Sequence, residues 1–169
     1  DEKRERGIRM KTSKWRRPSP DTAPVKAKAA GLYMICTLSR HSVEPEGYDD
    51  ALMLDWRGQV AESTGANIFL VQNGVIHTPT PDCFLDGITR RTVMDLARKR
   101  GYEVIERVIM PEELPEFEQC FVTGTAAEVP PVSEIAGNTY QVGDIIKTLM
   151  QDYDAAVRPQ TPALQAAAG

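Results

Sequence analysis

Cysteine is scarce in this chain: three in 169 residues, at Cys36, Cys83 and Cys120, odd in number and with no Cys-x-x-Cys pair. Such spacing argues against a disulfide framework and against a structural zinc site, so a reducing compartment, the cytoplasm, is the expected setting. Histidine is scarcer still: His41 and His77 are too few for a histidine metal centre, and no metal is expected. The formal net charge of -4 lacks the basic excess that a nucleic-acid surface needs to displace counterions. No apolar run approaches the roughly 20 residues needed to cross a bilayer. The charged start Asp1-Glu2-Lys3-Arg4-Glu5-Arg6 has no apolar stretch of a secretory kind. Neither nucleic acid nor membrane is therefore an expected partner. One basic cluster, Lys11 to Arg17 around Trp15, reads as a solvated face at the edge of a sheet.

What is present suits a folded domain: 41% of residues are hydrophobic and 26% charged. From Gly7 to Trp15, alternating Ile8, Met10 and Thr12 predict a strand with one buried face. The chain has no initiating Met and runs straight from charge into this strand. A domain whose preceding half has been removed gives that pattern, as does a processed terminus. Pro18, Pro20 and Pro24 predict a loop. Leu32, Ile35, Cys36 and Leu38 then set a helical period over about 27–40, ended near Pro45-Glu46-Gly47. Short strands follow at 51–54, 60–61, 68–71 and 75–78, with Asn73-Gly74 as a hairpin turn. Asp86 is placed to cap a helix from Ile88 to Arg100, with Ile88, Val93, Leu96 and Ala97 inward and Gly101 as its stop. Val104-Ile105 and 120–122 read as buried strands, 111–114 as a short helix and 143–153 as a last helix. The Pro- and Ala-rich stretch 158–169 is expected to fray.

Four segments carry chemistry. Ala27-Lys28-Ala29-Ala30-Gly31 sets an amine among small residues, which leaves room for a planar ring and offers a nucleophile for an imine. Lys26, two residues away, is the rival amine. Glu62, in Val60-Ala61-Glu62-Ser63-Thr64-Gly65, offers a carboxylate. Gly87-Ile88-Thr89-Arg90 opens a helix, whose free amides and dipole favour an anion. Gly124-Thr125-Ala126-Ala127 is a small-residue turn that lets backbone approach a ligand. An imine-forming amine, a carboxylate for a pyridine nitrogen, a phosphate seat and a second anion seat together suggest a pyridoxal phosphate site.

In that order, Ala27-Lys28-Ala29-Ala30-Gly31-Leu32-Tyr33, Glu62-Ser63-Thr64-Gly65-Ala66-Asn67-Ile68-Phe69, Leu85-Asp86-Gly87-Ile88-Thr89-Arg90 and Gly124-Thr125-Ala126-Ala127-Glu128-Val129 resemble the class IV aminotransferases, the branched-chain amino acid group most closely. The resemblance implies an α+β pseudo-barrel of mostly antiparallel strands flanked by helices. Residues 1–157 would form the large, cofactor-binding domain. Pyridoxal 5'-phosphate is the implied cofactor, with Lys28 as its covalent anchor and the catalytic proton carrier. Glu62 would meet the ring nitrogen, Tyr33 the phenolic oxygen and Leu85 the ring face. Ile88, Thr89 and Thr125 would hold the phosphate, and the amides of Thr125 and Ala126 the substrate carboxylate. By resemblance the parent enzyme exchanges amino groups between leucine, isoleucine or valine and 2-oxoglutarate, serves amino-acid biosynthesis, and assembles as a homodimer or larger oligomer. A D-amino acid transaminase, an R-selective amine transaminase, an aminodeoxychorismate lyase and an inactive fragment are the alternatives. The family draws a phosphate-binding arginine and part of the substrate pocket from a smaller preceding domain, which this sequence does not contain. Pro130 stands where relatives usually carry threonine, and it removes a backbone donor.

Overall fold

The computed structural model describes residues 2–158. A short helix α1 (Glu2–Arg6) leads into the long strand β1 (Ile8–Arg17), and a proline-broken loop connects it to helix α2 (Ala30–Val43). Four strands follow: β2 (Asp50–Asp55), β3 (Val60–Ser63), β4 (Asn67–Gln72) and β5 (Val75–Pro79). Helix α3 (Ile88–Lys99), strand β6 (Val104–Arg107), a 3-10 turn at Pro111–Glu116, strands β7 (Gln119–Thr123), β8 (Pro131–Ile135) and β9 (Asn138–Thr139), and helix α4 (Asp144–Val157) complete the order. Only Arg158 of the stretch expected to fray is described; 159–169 lie outside the described residues.

The sheet runs β3-β2-β1-β8-β7-β4-β5-β6 and closes on itself where β3 also pairs β4, at Glu62 and Asn67. Six of the nine described strand pairings are antiparallel, and the parallel ones are β1 with β2, β1 with β8, and β5 with β6. The expected α+β pseudo-barrel of mostly antiparallel strands is therefore the observed architecture. Its cause is legible in β4, where successive side chains alternate between two apolar environments. Ile68 and Leu70 join Met10, Leu52, Val122 and Val132 inside the ring. Phe69 and Val71 face outward and pack with Val93 and Ala97 of α3 and Ile146 and Leu149 of α4. Phe69 stacks on Phe121 of β7 with ring centroids 4.9 Å apart. The Asn73-Gly74 turn joins β4 to β5 with both residues at positive φ, as its sequence predicts.

Three local expectations are corrected. Strand β1 is not an edge: it lies between β2 and β8, and its register shifts between Thr12 and Arg16. That shift interrupts the alternation begun by Ile8 and Met10, and Arg17, expected on a solvated face, is 4% exposed. Helix α2 begins at Ala30 rather than Ala27 and buries Cys36, Ser39 and Val43, whereas Leu38 is 45% exposed. Ser39 is accepted inside because its hydroxyl donates to the Ile35 carbonyl and bonds the Ser13 hydroxyl of β1. Helix α3 is capped by Gly87, not by the Asp86 side chain, which accepts a hydrogen bond from Arg90 instead. Strand β8, hidden in the sequence by Pro130-Pro131, starts on Pro131, a first position where the missing amide is tolerated. Among the described residues no helix is long and apolar enough to cross a membrane.

Candidate active site

Closing the ring at β3 and β4 leaves a cleft of about 280 Å³ at one end of the sheet. Its walls come from four places in the sequence. The first is the loop before α2. Val25 is buried against Ala61, Cys83 and Phe84, and the turn is held by the Ala27 amide donating to the Pro24 carbonyl at 2.8 Å. This anchor brings Lys26 and Lys28 to the cleft, and Tyr33 follows on the first turns of α2. Chemistry at an amine is helped by removing water, yet both lysines are exposed. Tyr33 is 36% exposed.

The second wall is β3 with the turn after it. Glu62 is 9% exposed, and its Oε1 lies 3.3 Å from Nε of Arg17, which also lines the cleft. Arg17 reaches Cys36 of α2 as well, donating to its sulfur at 3.5 Å. The arginine therefore braces the carboxylate from behind. Burial pushes Glu62 up to about 8, against the pull of Arg17 and with a smaller push from Asp50. A cationic ring nitrogen arriving beside Glu62 would supply the favourable charge this position is short of. Asp50 is itself engaged by Thr64, whose hydroxyl donates to it at 2.5 Å.

The third wall is the start of α3. Leu85 is half-buried, Thr89 is buried, and Ile88 is 76% exposed, so what Ile88 offers is its backbone amide. The first amides of a helix have no partner within it, and here no side chain caps them. Behind them Arg90, 1% exposed, donates to Asp86 at 2.9 Å, Glu106 at 2.7 Å and the Pro79 carbonyl at 3.1 Å. Arg90 thus ties the helix start to β5 and β6. Replacing it with methionine leaves two carboxylates and a carbonyl without their donor. Because both carboxylates are over a third exposed, the expected loss is about 2 kcal/mol rather than that of a fully buried pair. Urea unfolding of Arg90→Met checks it, and an unchanged midpoint would show the clamp to be idle.

The fourth wall is the end of β7. Thr123, Gly124 and Thr125 line the cleft, and Gly124 and Glu128 close a tight turn by exchanging backbone hydrogen bonds. A Cβ on Gly124 would stand 3.2 Å from the Gly65 carbonyl, so only glycine lets this turn lie against the one after β3 without displacement. Ala126 is in the same turn but outside the cleft lining. Of the sequence-predicted residues, Lys28, Tyr33, Glu62, Leu85, Ile88, Thr89 and Thr125 thus meet at one cleft, and Ala126 stands beside it. Sequence reasoning missed Arg17, Asn67, Thr123 and Cys36, which also line it. Arg17 had no signal, being one of several basic residues; Asn67 had one, as a lone amide opening an apolar strand. Elsewhere Asp55, Asp82 and Cys83 converge, but Arg57 pairs with both carboxylates.

The sequence profile of amino-transferase class IV matches residues 1–135. A probable branched-chain-amino-acid aminotransferase of Rickettsia conorii is 40% identical over 158 residues, 91% of this chain and 54% of that protein. The crystal structure of the branched-chain aminotransferase of Thermoproteus uzoniensis with norvaline superimposes with a TM-score of 0.87 at 39% identity, covering 89% of this chain and 51% of that one. An aminotransferase from Brucella abortus bound to the cofactor PLP gives 0.83 at 34% identity, covering 87% and 53%. The chain spans about half the length of the relatives it matches. With its closed sheet, its four convergent segments and this match over most of its length, the chain belongs to the class IV aminotransferases.

Proposed function

We propose that residues 1–157 are the cofactor-binding domain of a branched-chain amino acid aminotransferase, and that the cleft takes pyridoxal 5'-phosphate. The observation that carries this is one cleft lined by an amine, a buried carboxylate and a helix start, the three groups an aldehyde-bearing pyridine phosphate requires. The fit has further support in one polar atom at the cleft, the hydroxyl of Thr123, which is buried without a hydrogen-bond partner among the described residues. The volume also stands near the lower end of small-ligand pockets, about 300 Å³.

Bound pyridoxal phosphate supplies the electron sink that lets the substrate's α-hydrogen leave as a proton. Lys28 would anchor the cofactor through its amine, and its Nζ would hold and move the proton. Glu62, backed by Arg17, keeps a proton on the ring nitrogen. Tyr33 orients the phenolic oxygen and Leu85 bears on the ring face. The amides of Ile88 and Thr89 and the hydroxyls of Thr89 and Thr125 hold the phosphate, while the amides of Thr125 and Ala126 take the substrate carboxylate. The substrates are leucine, isoleucine and valine, with 2-oxoglutarate as amino acceptor, in the service of amino-acid biosynthesis. The buried free thiols of Cys36, Cys83 and Cys120 suit a reducing cytoplasm. Met34 and Leu38, 62% and 45% exposed on α2, provide apolar surface for a homodimer or larger assembly.

The full-length protein, given L-leucine, D-alanine and aminodeoxychorismate in parallel, is expected to form 4-methyl-2-oxopentanoate and glutamate from the first with 2-oxoglutarate. Activity on D-alanine alone, or elimination from aminodeoxychorismate, would replace this function with that of a D-amino acid transaminase or a lyase.

A further inference from the structure

Strand β4 places a polar side chain where its neighbours are apolar: Asn67 opens the run Ile68-Phe69-Leu70-Val71 and is 5% exposed. A buried carboxamide is costly unless its groups find partners, so its presence calls for a structural reason. Its Nδ2 donates to the Leu85 carbonyl at 2.9 Å. Its Oδ1 lies so close to Gly87 that a Cβ there would stand 2.5 Å away. One side chain therefore bonds one end of Leu85-Asp86-Gly87, the arm that delivers the first turn of α3, and lies against the other. In the sheet the same residue pairs with Glu62 on one side and Thr123 on the other.

We propose that Asn67 is a positioning residue for phosphate recognition: it pins the Leu85-Asp86-Gly87 arm to β4, so that the amides opening α3 face the phosphate of the bound cofactor. This rests on the assignment of the cleft to pyridoxal phosphate. The Leu85 carbonyl matters as much as the amides, because a carbonyl oxygen left free to turn toward the cleft would repel an anion. With Asn67 donating to it, that oxygen is committed to the sheet. Arg90 holds the same arm from the other side through Asp86, so the arm is fixed between β4 and α3. Preorganised donors of this kind act without reorganising when the anion arrives.

The test separates the phosphate from the rest of the cofactor. Pyridoxal and pyridoxal phosphate differ only in that group, so the ratio of their dissociation constants measures phosphate recognition directly. Both are titrated against the full-length protein, cofactor-depleted, and against Asn67→Leu and Asn67→Ala, following absorbance and fluorescence. In the variants the preference for pyridoxal phosphate over pyridoxal is expected to fall at least about 10-fold, with pyridoxal affinity little changed. Asn67→Ala, which only removes atoms, gives the same ratio if Asn67→Leu does not fold. An unchanged ratio overturns the proposal, whether both affinities fall together, as for a residue with a general structural role, or neither falls. If the wild-type protein itself bound no pyridoxal phosphate, the assignment of the cleft would fail first, and the proposal with it.

Discussion

Lys28→Ala in the full-length protein is expected to abolish transamination, with Lys26→Ala keeping most of it. Loss of a positioned proton carrier costs about 10²–10⁴-fold by itself. Lys28 also supplies the covalent attachment, so the combined loss should exceed about 10³-fold. The comparison with Lys26 is needed because the fold does not separate the two amines by exposure: both line the cleft and both are exposed. What does separate them is the backbone. Lys26 lies in the turn held by the Ala27 amide, and Lys28 lies beyond it, directly before the α2 residues that carry Tyr33. Reduction of the cofactor-loaded protein with borohydride and mapping of the labelled peptide should find the pyridoxyl group on Lys28. A label on Lys26, or equal losses in the two variants, would move the chemistry to the other amine.

Glu62→Gln should produce two effects of opposite sign. Activity is expected to fall about 10²–10³-fold, the usual cost of losing one preorganised electrostatic group, because a neutral amide no longer keeps the ring nitrogen protonated. Stability of the cofactor-free protein should instead rise at alkaline pH. Burial pushes Glu62 from the ordinary 4.5 up to about 8, with Arg17 opposing and Asp50 assisting. Between those values the folded protein holds a proton that the unfolded chain has released. The folded state then binds more protons, so Glu62 contributes a stability that is lost as pH rises through this window. Glutamine carries no such proton. The difference in unfolding free energy between the variant and the wild type should therefore grow by about 3 kcal/mol from pH 5 to pH 8, as measured by urea unfolding. A constant difference would mean that Arg17 keeps Glu62 ionised throughout.

The elements that were legible in sequence are those whose evidence is local. Asn73-Gly74 marks a hairpin because few residues tolerate two successive positive φ angles, and β4 and β5 duly flank it. Gly101, with φ of 84°, ends α3 for a related reason. Periodicity misled where a distant contact overruled it. Leu38 fits the helical period of α2 but is exposed, and Ser39 takes the inner place because Ser13 of β1 satisfies its hydroxyl. Asp86 has the chemistry of a helix cap, but Arg90 claims its carboxylate.

The candidate site divides in the same way. Its amine, its carboxylate, its helix start and its small-residue turn each depend on residue type and immediate neighbours, so the sequence alone determined which groups this chain offers. Position was decided by the tertiary fold. Lys28, Glu62, Thr89 and Thr125 share one cleft only because β3 closes on β4 at Glu62 and Asn67 and because β7 runs beside β4. The supporting residues belong wholly to this second level. Arg17 becomes a partner of Glu62 through a register shift in β1, and Asn67 a brace for the Leu85-Asp86-Gly87 arm through a hydrogen bond across 18 residues. Arg17 has no signature in its own neighbourhood and Asn67 shows only as a lone amide opening an apolar strand, since the role of a buried polar group is defined by what surrounds it in space.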